Sequence, residues 1–214
     1  MDVITGHFGD LLAGLLVTIE LTVLGYVGAL VIGTVLAVFR VGPITPLRAV
    51  GAVYVEFFRN VPLLSFLVLF VFGLPDIGVT YSLFASAAIC LALTGAAYVC
   101  ESIRSGINAV PVGQAEAARA IGLPFAKVLR LVILPQAFAT MIPPLVNVFI
   151  GMALGSSLAA AVGVAELTNR TQQLNLQYAE AVATFLVAGA FYVALSFVGA
   201  GTGSWLERRL VRRR

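Results

Sequence analysis

The stretch GQAEAARAIGLPFAKVLRLVILPQAF, residues 113–138, interrupts a chain that is otherwise close to hydrocarbon. It gathers four charges (Glu116, Arg119, Lys127, Arg130) and two prolines, then returns to apolar residues. Gln114 to Ile121 is rich in good helix formers. Gly113 can open that helix. Gly122 can close it, because a C′ glycine takes the left-handed conformation without a Cβ clash. Pro124 then suits the first turn of a second helix, where its missing N–H costs little. The expectation is a hairpin of two short helices with an elbow at Gly122, the second helix ending at Pro135. Glu116, Ala117 and Ala120 share the outward face of the first helix, a nearly smooth surface that can sink into a groove on another protein.

The rest of the chain decides the setting of that hairpin. Of 214 residues, 60% are hydrophobic and 11% charged, with a mean hydropathy of +1.03. A soluble domain carries roughly 25% charged residues. Apolar runs long enough to cross a bilayer recur, so an all-α integral membrane protein is expected. Five spans are expected, at residues 11–39, 53–74, 81–100, 135–165 and 181–206, within one domain covering 1–214. The second begins as an interfacial amphipathic segment and bends at Pro62. Residues 1–10 carry no Lys or Arg, and the first run is too long for a signal h-region, so a cleavable signal peptide is not expected.

Orientation follows from the cations. With the N-terminus outside and the C-terminus in the cytoplasm, 12 of the 13 Lys and Arg residues fall inside and only Arg170 outside. The hairpin, about 104–130, is then the longest inside segment. The basic tail RRLVRRR suits anionic headgroups. A net charge of +3 gives no case for nucleic acid. Cys90 and Cys100 lie too far apart on one helix for a disulfide. No Cys/His cluster offers a metal site.

Other polar residues inside the spans are few. Tyr98, Asn147, Ser156 and Ser157 are candidates to line a pathway. Glu20, the only acid in the first span, is expected to face a partner helix or water. Glu101 and Arg104, at i and i+3, are expected to pair at the inner surface. Pro135, Pro143 and Pro144 are expected to bend the fourth span. His7 is expected to be inert. A secondary transporter would need several intramembrane carboxylates and usually an internal repeat. An intramembrane enzyme would need a nucleophile–base pair or metal ligands. Neither set is visible, although a secondary transporter or channel subunit for a small polar solute is the alternative reading.

EAARAIGLPFAKVLRLVILP resembles the signature loop of ABC importer permeases. Glu116, Ala117, Ala118, Gly122, Ile133, Leu134 and Pro135 match in order and spacing. YVEFFRNVPLL (54–64), ESIRSGINAVPVGQAEAA (101–118) and LPQAF…PPLVN (134–147) are similar to further blocks of the polar-amino-acid branch, most like its glutamate-type members. The resemblance implies a type I importer permease fold in the inner or plasma membrane of a prokaryote. It implies that a second permease subunit completes the pathway, that two ATPase subunits dock on the loop, and that an extracytoplasmic binding protein delivers the amino acid. Gly113, Glu116, Ala117, Ala118, Gly122 and Pro135 would form the ATPase-coupling surface. No GxxxxGK[ST] is present, so ATP and Mg would be bound by the partner ATPase, and this chain would not be an enzyme. One departure stands out: where the family commonly has K-D/N-T-S-L, this chain has Leu154, Gly155, Ser156, Ser157 and Leu158, without the lysine or the acid.

Overall fold

A computed structural model of the chain describes residues 5–211. Met1 and Arg212 to Arg214, which enter the charge argument above, lie outside the described residues.

The first span is α1 (Phe8–Val41), a single 34-residue helix. Leu11, Gly14, Thr18, Leu21, Gly25, Ala29, Gly33 and Leu36 recur at helical spacing and are buried. Leu16, Leu24, Val27 and Val31 form an exposed apolar stripe along the other side, as a lipid- or partner-facing surface requires. Thr18, Thr22 and Thr34 return their hydroxyls to carbonyls four residues back, which satisfies them inside an apolar layer.

The second crossing is broken. α2 (Thr45–Asn60) and α3 (Leu63–Val68) meet at 99°. Val61 and Pro62 are both extended between them, because proline cannot continue the helix and disfavours helical backbone before it. α3 continues through a π turn (Leu69–Gly73) and a short 3-10 turn (Pro75–Ile77), closed by Gly78 at φ 82°. The expected bend at Pro62 is present. It is sharper than a kinked span, since α2 is a separate amphipathic helix packed on α1 and α4.

α4 (Leu83–Asn108) starts at a Ser82 cap that accepts from the Ala85 N–H at 3.1 Å. It packs along α1 at close range. A Cβ placed on Gly33 would lie 2.7 Å from the Ala96 carbonyl and from Val99. Small residues at such a contact let two backbones approach where lipid offers no hydrophobic drive between helices. Leu21, Ala29, Leu67, Cys90, Val99 and Met152 form the main core around this pair. Cys90 and Cys100 are both buried, free thiols on α4.

α5 (Val112–Ala120) is the first hairpin helix. Beyond it the structure corrects one expectation. The second hairpin helix does not end at Pro135. α6 (Phe125–Val128), a π turn (Leu129–Ile133), α7 (Leu134–Gly155) and a 3-10 turn (Ser156–Val162) run on as one 38-residue apolar helix. A π turn widens the ladder, which accommodates the missing N–H and the ring of Pro135 just after it. α7 continues through Pro143 and Pro144. The span ends at Gly163, φ 91°, three residues before Glu166 caps α8 (Leu167–Tyr178). Ala179, φ 57°, turns the chain into α9 (Ala181–Val211), which lies outermost. α9 packs on α7, where Gly199 and Gly203 meet Phe149 and Val146.

Candidate functional site

The hairpin projects from the end of the bundle that carries Arg40, Arg104 and Arg208. Its elbow is built by two hydrogen bonds. Gly122 N–H donates to the Arg119 carbonyl at 2.9 Å, and Leu123 N–H to the Ala118 carbonyl at 3.2 Å. Gly122 itself is at φ 83°. This is the paired C-terminal bonding that needs a left-handed residue. Ala118 faces inward and is 5% exposed. Glu116, Ala117 and Arg119 face outward. Val112, Ile121 and Phe125 are 72%, 78% and 67% exposed. Among the described residues nothing lies within 4 Å of a Cβ placed on Gly113 or Gly122, which leaves that face open. Pro135 stands apart from the elbow, past the π turn at the start of α7.

A cavity of about 430 Å³ lies between α3, α4 and α7. Tyr98 and Asn147 both line it, with Leu63, Leu91, Val148 and Met152 supplying apolar walls. Thr94, one turn before Tyr98, also lines it. The four-residue spacing of Thr94 and Tyr98 was the available sequence signal. Ser156 and Ser157 do not line it. In the 3-10 turn Ser156–Val162 their hydroxyls donate back to the Ala153 and Leu154 carbonyls, at 2.7 and 2.6 Å. Short hydroxyls beside a tight turn are taken up by local carbonyls.

Next to this cavity is a charged recess of about 450 Å³. Glu101 accepts from Arg104 at 2.6 Å, as expected. It also accepts from Arg40, which sequence reasoning missed because that partner lies 61 residues away. Arg59 stacks over the Tyr98 ring with its guanidinium carbon 5.7 Å from the centroid. Tyr98 thus lies between cavity and recess. Glu20 is exposed on the apolar face of α1, and its side chain makes no ion pair among the described residues.

At the opposite end sits a group with no counterpart in the sequence reading. Glu166 is fully buried. Its carboxylate accepts from Asn169 N–H at 2.8 Å, Thr168 N–H at 3.0 Å and the Tyr192 hydroxyl at 2.8 Å, and shares the Thr18 hydroxyl proton, at 3.3 Å, with the Gly14 carbonyl. Thr18 also accepts from Leu167 N–H at 3.1 Å. One carboxylate therefore ties α1, α8 and α9. Burial raises its pKa from the ordinary 4.5, against the lowering effect of its four donors. His7 also has partners at this end, Asp10 at 3.0 Å and the Tyr178 hydroxyl at 2.8 Å.

Four long apolar helices and one broken crossing, carrying an exposed hairpin and a side cavity, make a membrane permease with the type I ABC importer fold. A crystal structure of an amino acid ABC transporter with histidines contains a chain that superposes with a TM-score of 0.91 at 32% identity, covering 96% of each chain. The family described as "Binding-protein-dependent transport system inner membrane component" matches residues 11–212, and this chain belongs to it. It is 37% identical to the L-cystine transport system permease protein TcyB of Bacillus subtilis, over 99% of this chain and 91% of that one. It is 34% identical to the glutamate transport system permease protein GluC of Corynebacterium efficiens, over 95% and 96%. The chain is the permease subunit of an amino-acid ABC importer, and such subunits are not themselves enzymes.

Proposed function

We propose that this subunit forms half of the pathway for a polar amino acid, of the glutamate type, and is driven through its 112–125 hairpin by a partner ATPase that binds ATP and Mg. A second permease subunit, identical or paired, closes the cavity on its open side. An extracytoplasmic binding protein delivers the solute. The protein resides in the plasma membrane of a prokaryote, with the hairpin and the C-terminus in the cytoplasm. The distribution of cations supports that orientation: among the described residues, Arg40, Arg48, Arg59, Arg104, Arg119, Lys127, Arg130, Arg208 and Arg209 lie toward one side and Arg170 toward the other.

The observation that carries the reading is the uncovered hairpin. It is a rigid, hydrogen-bonded elbow presenting Val112, Ile121 and Phe125 around Glu116, Ala117 and Gly122. Apolar side chains this exposed outside the membrane mark an interaction surface. Because α6 and α7 form one continuous helix, a push on the elbow is transmitted into the wall of the cavity at Asn147. The device is a lever between two states whose populations the ATPase biases. The substrate reading rests on a cavity with hydroxyl and amide groups and no charged lining residue, together with the glutamate-type resemblance.

Reconstitution tests it. Proteoliposomes containing this chain, its ATPase and its binding protein should accumulate a polar amino acid only when all three and ATP are present. Uptake of a sugar or metal ion alone, or uptake without ATP, overturns it.

A further inference from the structure

We infer that the charged recess beside the cavity is a second binding site, a receptor for the zwitterionic head of an amino acid on the hairpin side of the membrane, with Arg59 taking the α-carboxylate and Glu56 the α-ammonium. The inference rests on the amino-acid importer reading and adds where the solute stops after the cavity.

Charge accounting leads there. Glu101 is occupied on both sides, by Arg40 and Arg104. That cluster is a floor whose one carboxylate is taken and which keeps one net positive charge. Arg59 and Glu56 line the same recess and remain outside it. They lie one turn apart on α2, yet no ion pair joins them among the described residues. Glu56 receives only the Asn60 side-chain amide at 2.9 Å, and Asn60 is itself anchored to the Glu56 carbonyl at 2.7 Å. Arg59 is held over Tyr98 by a cation–π contact, and no side-chain hydrogen bond or ion pair engages it among the described residues, so its N–H groups can take a carboxylate. A guanidinium and a carboxylate without ionic partners in one recess complement a group that carries both charges.

Size and position agree. A recess of about 450 Å³ lies in the range of small-molecule sites, roughly 300–1,000 Å³. Tyr98 walls the cavity on one side and carries Arg59 on the other. A solute leaving the cavity past Tyr98 meets Arg59 first. Guanidinium–carboxylate bonding is bidentate and geometrically selective, so this step can reject solutes lacking the α-carboxylate.

The test begins with the wild-type complex of permease, ATPase and binding protein, assayed for ATP-driven uptake of L-glutamate, L-glutamine and L-cystine. If neither these nor L-arginine nor any other polar amino acid is carried, the importer reading fails, and this site with it. Whichever is carried becomes the probe for binding to the permease–ATPase complex without binding protein. It is compared with the matched amine lacking the α-carboxylate and the matched acid lacking the α-ammonium (for glutamate, γ-aminobutyrate and glutarate). The wild-type complex should prefer the amino acid over each analogue by about tenfold or more. Arg59→Gln should abolish the preference over the amine alone, and Glu56→Gln the preference over the acid alone. A merely structural role would weaken all three ligands together. In the unaltered complex, a diazirine-bearing analogue of the amino acid should label α2 between Tyr54 and Asn60. Transport with wild-type discrimination in both variants, or photolabelling confined to other segments, overturns the site and leaves the importer reading intact.

Discussion

The hairpin and the Glu166 knot are built on opposite rules. At the hairpin, apolar side chains are exposed, Gly113 and Gly122 have open space, and order comes from short helices and the pair of hydrogen bonds at Gly122. At the knot, a carboxylate is fully buried and saturated by donors from three helices. The first region is complete as a shape and incomplete as a contact. The second is complete in itself. A surface awaiting a partner can be altered without unfolding the chain; a closed polar network cannot, because each lost partner leaves a buried group unmade. The two regions should therefore fail differently, one in coupling and the other in stability.

The largest effect is expected at the elbow. Gly122→Leu forces a branched residue into φ 83°, a conformation that costs L-residues roughly 1–2 kcal/mol, and adds bulk where the partner approaches. ATP-driven uptake should fall at least about tenfold, the loss equivalent to 1.4 kcal/mol of coupling. Membrane insertion should stay at wild-type level. Glu116→Lys should act in the same direction through the docking face. Arg119→Ala, on the exposed side of the same helix, should do much less. Uptake and co-purification of the ATPase measure all three. Intact uptake in both Gly122→Leu and Glu116→Lys would make the hairpin an ordinary loop.

Next is the close approach of α1 and α4. Gly33→Leu places side-chain atoms where even a Cβ would stand 2.7 Å from Ala96 and Val99. Overpacking of this kind costs typically 1–3 kcal/mol. Thermal unfolding in detergent should shift down while any properly inserted protein keeps its hairpin contacts. A variant with wild-type stability and lost ATPase binding would contradict the division drawn above.

The knot should show itself in stability and in its pH dependence. Glu166→Gln keeps the shape but sets an amide N–H₂ against donors from Thr168, Asn169, Thr18 or Tyr192. One donor facing another, buried, costs about 1–3 kcal/mol. The raised pKa fixes the sign in the wild type. A carboxyl whose pKa is higher folded than unfolded binds more protons when folded, so its stabilising contribution is full below the unfolded value and is lost as pH rises through the folded one. Melting temperature should therefore decline on going from acidic to neutral pH by more in the wild type than in Glu166→Gln. Parallel pH profiles for the two proteins would remove Glu166 as the titrating group.

The same contrast explains what was legible in the chain. The spans announce themselves through hydropathy, and the elbow through Gly122, Leu123 and Pro124 in succession, because both are local. The pairing of Glu101 with Arg104 is local too and was readable; that with Arg40 joins residues 61 apart and was not. Glu166 escaped notice because capping is expected of Ser, Thr, Asp or Asn, and its other partners come from α1 and α9. Pro135 suggested a helix end, yet the π turn before it carries the helix through. The 99° break at Pro62 was readable as a bend but not as an angle.

The smallest effects should separate the four polar residues singled out within the spans. Asn147 and Tyr98 face the cavity, whereas the hydroxyls of Ser156 and Ser157 are spent on Ala153 and Leu154. Asn147→Ala removes an amide from the cavity wall without disturbing a described side-chain hydrogen bond. It should raise the half-saturating substrate concentration several-fold, about 1 kcal/mol in binding. Ser157→Ala removes a hydroxyl that only competes with its own helix backbone, and such changes usually lie within about 0.5 kcal/mol. Uptake kinetics should be unchanged within error. Concentration dependence of uptake, measured for both variants at matched membrane levels, decides between them. A defect in Ser157→Ala with normal Asn147→Ala would move the pathway away from the α3–α4–α7 cavity and toward the 3-10 turn at the far end of α7.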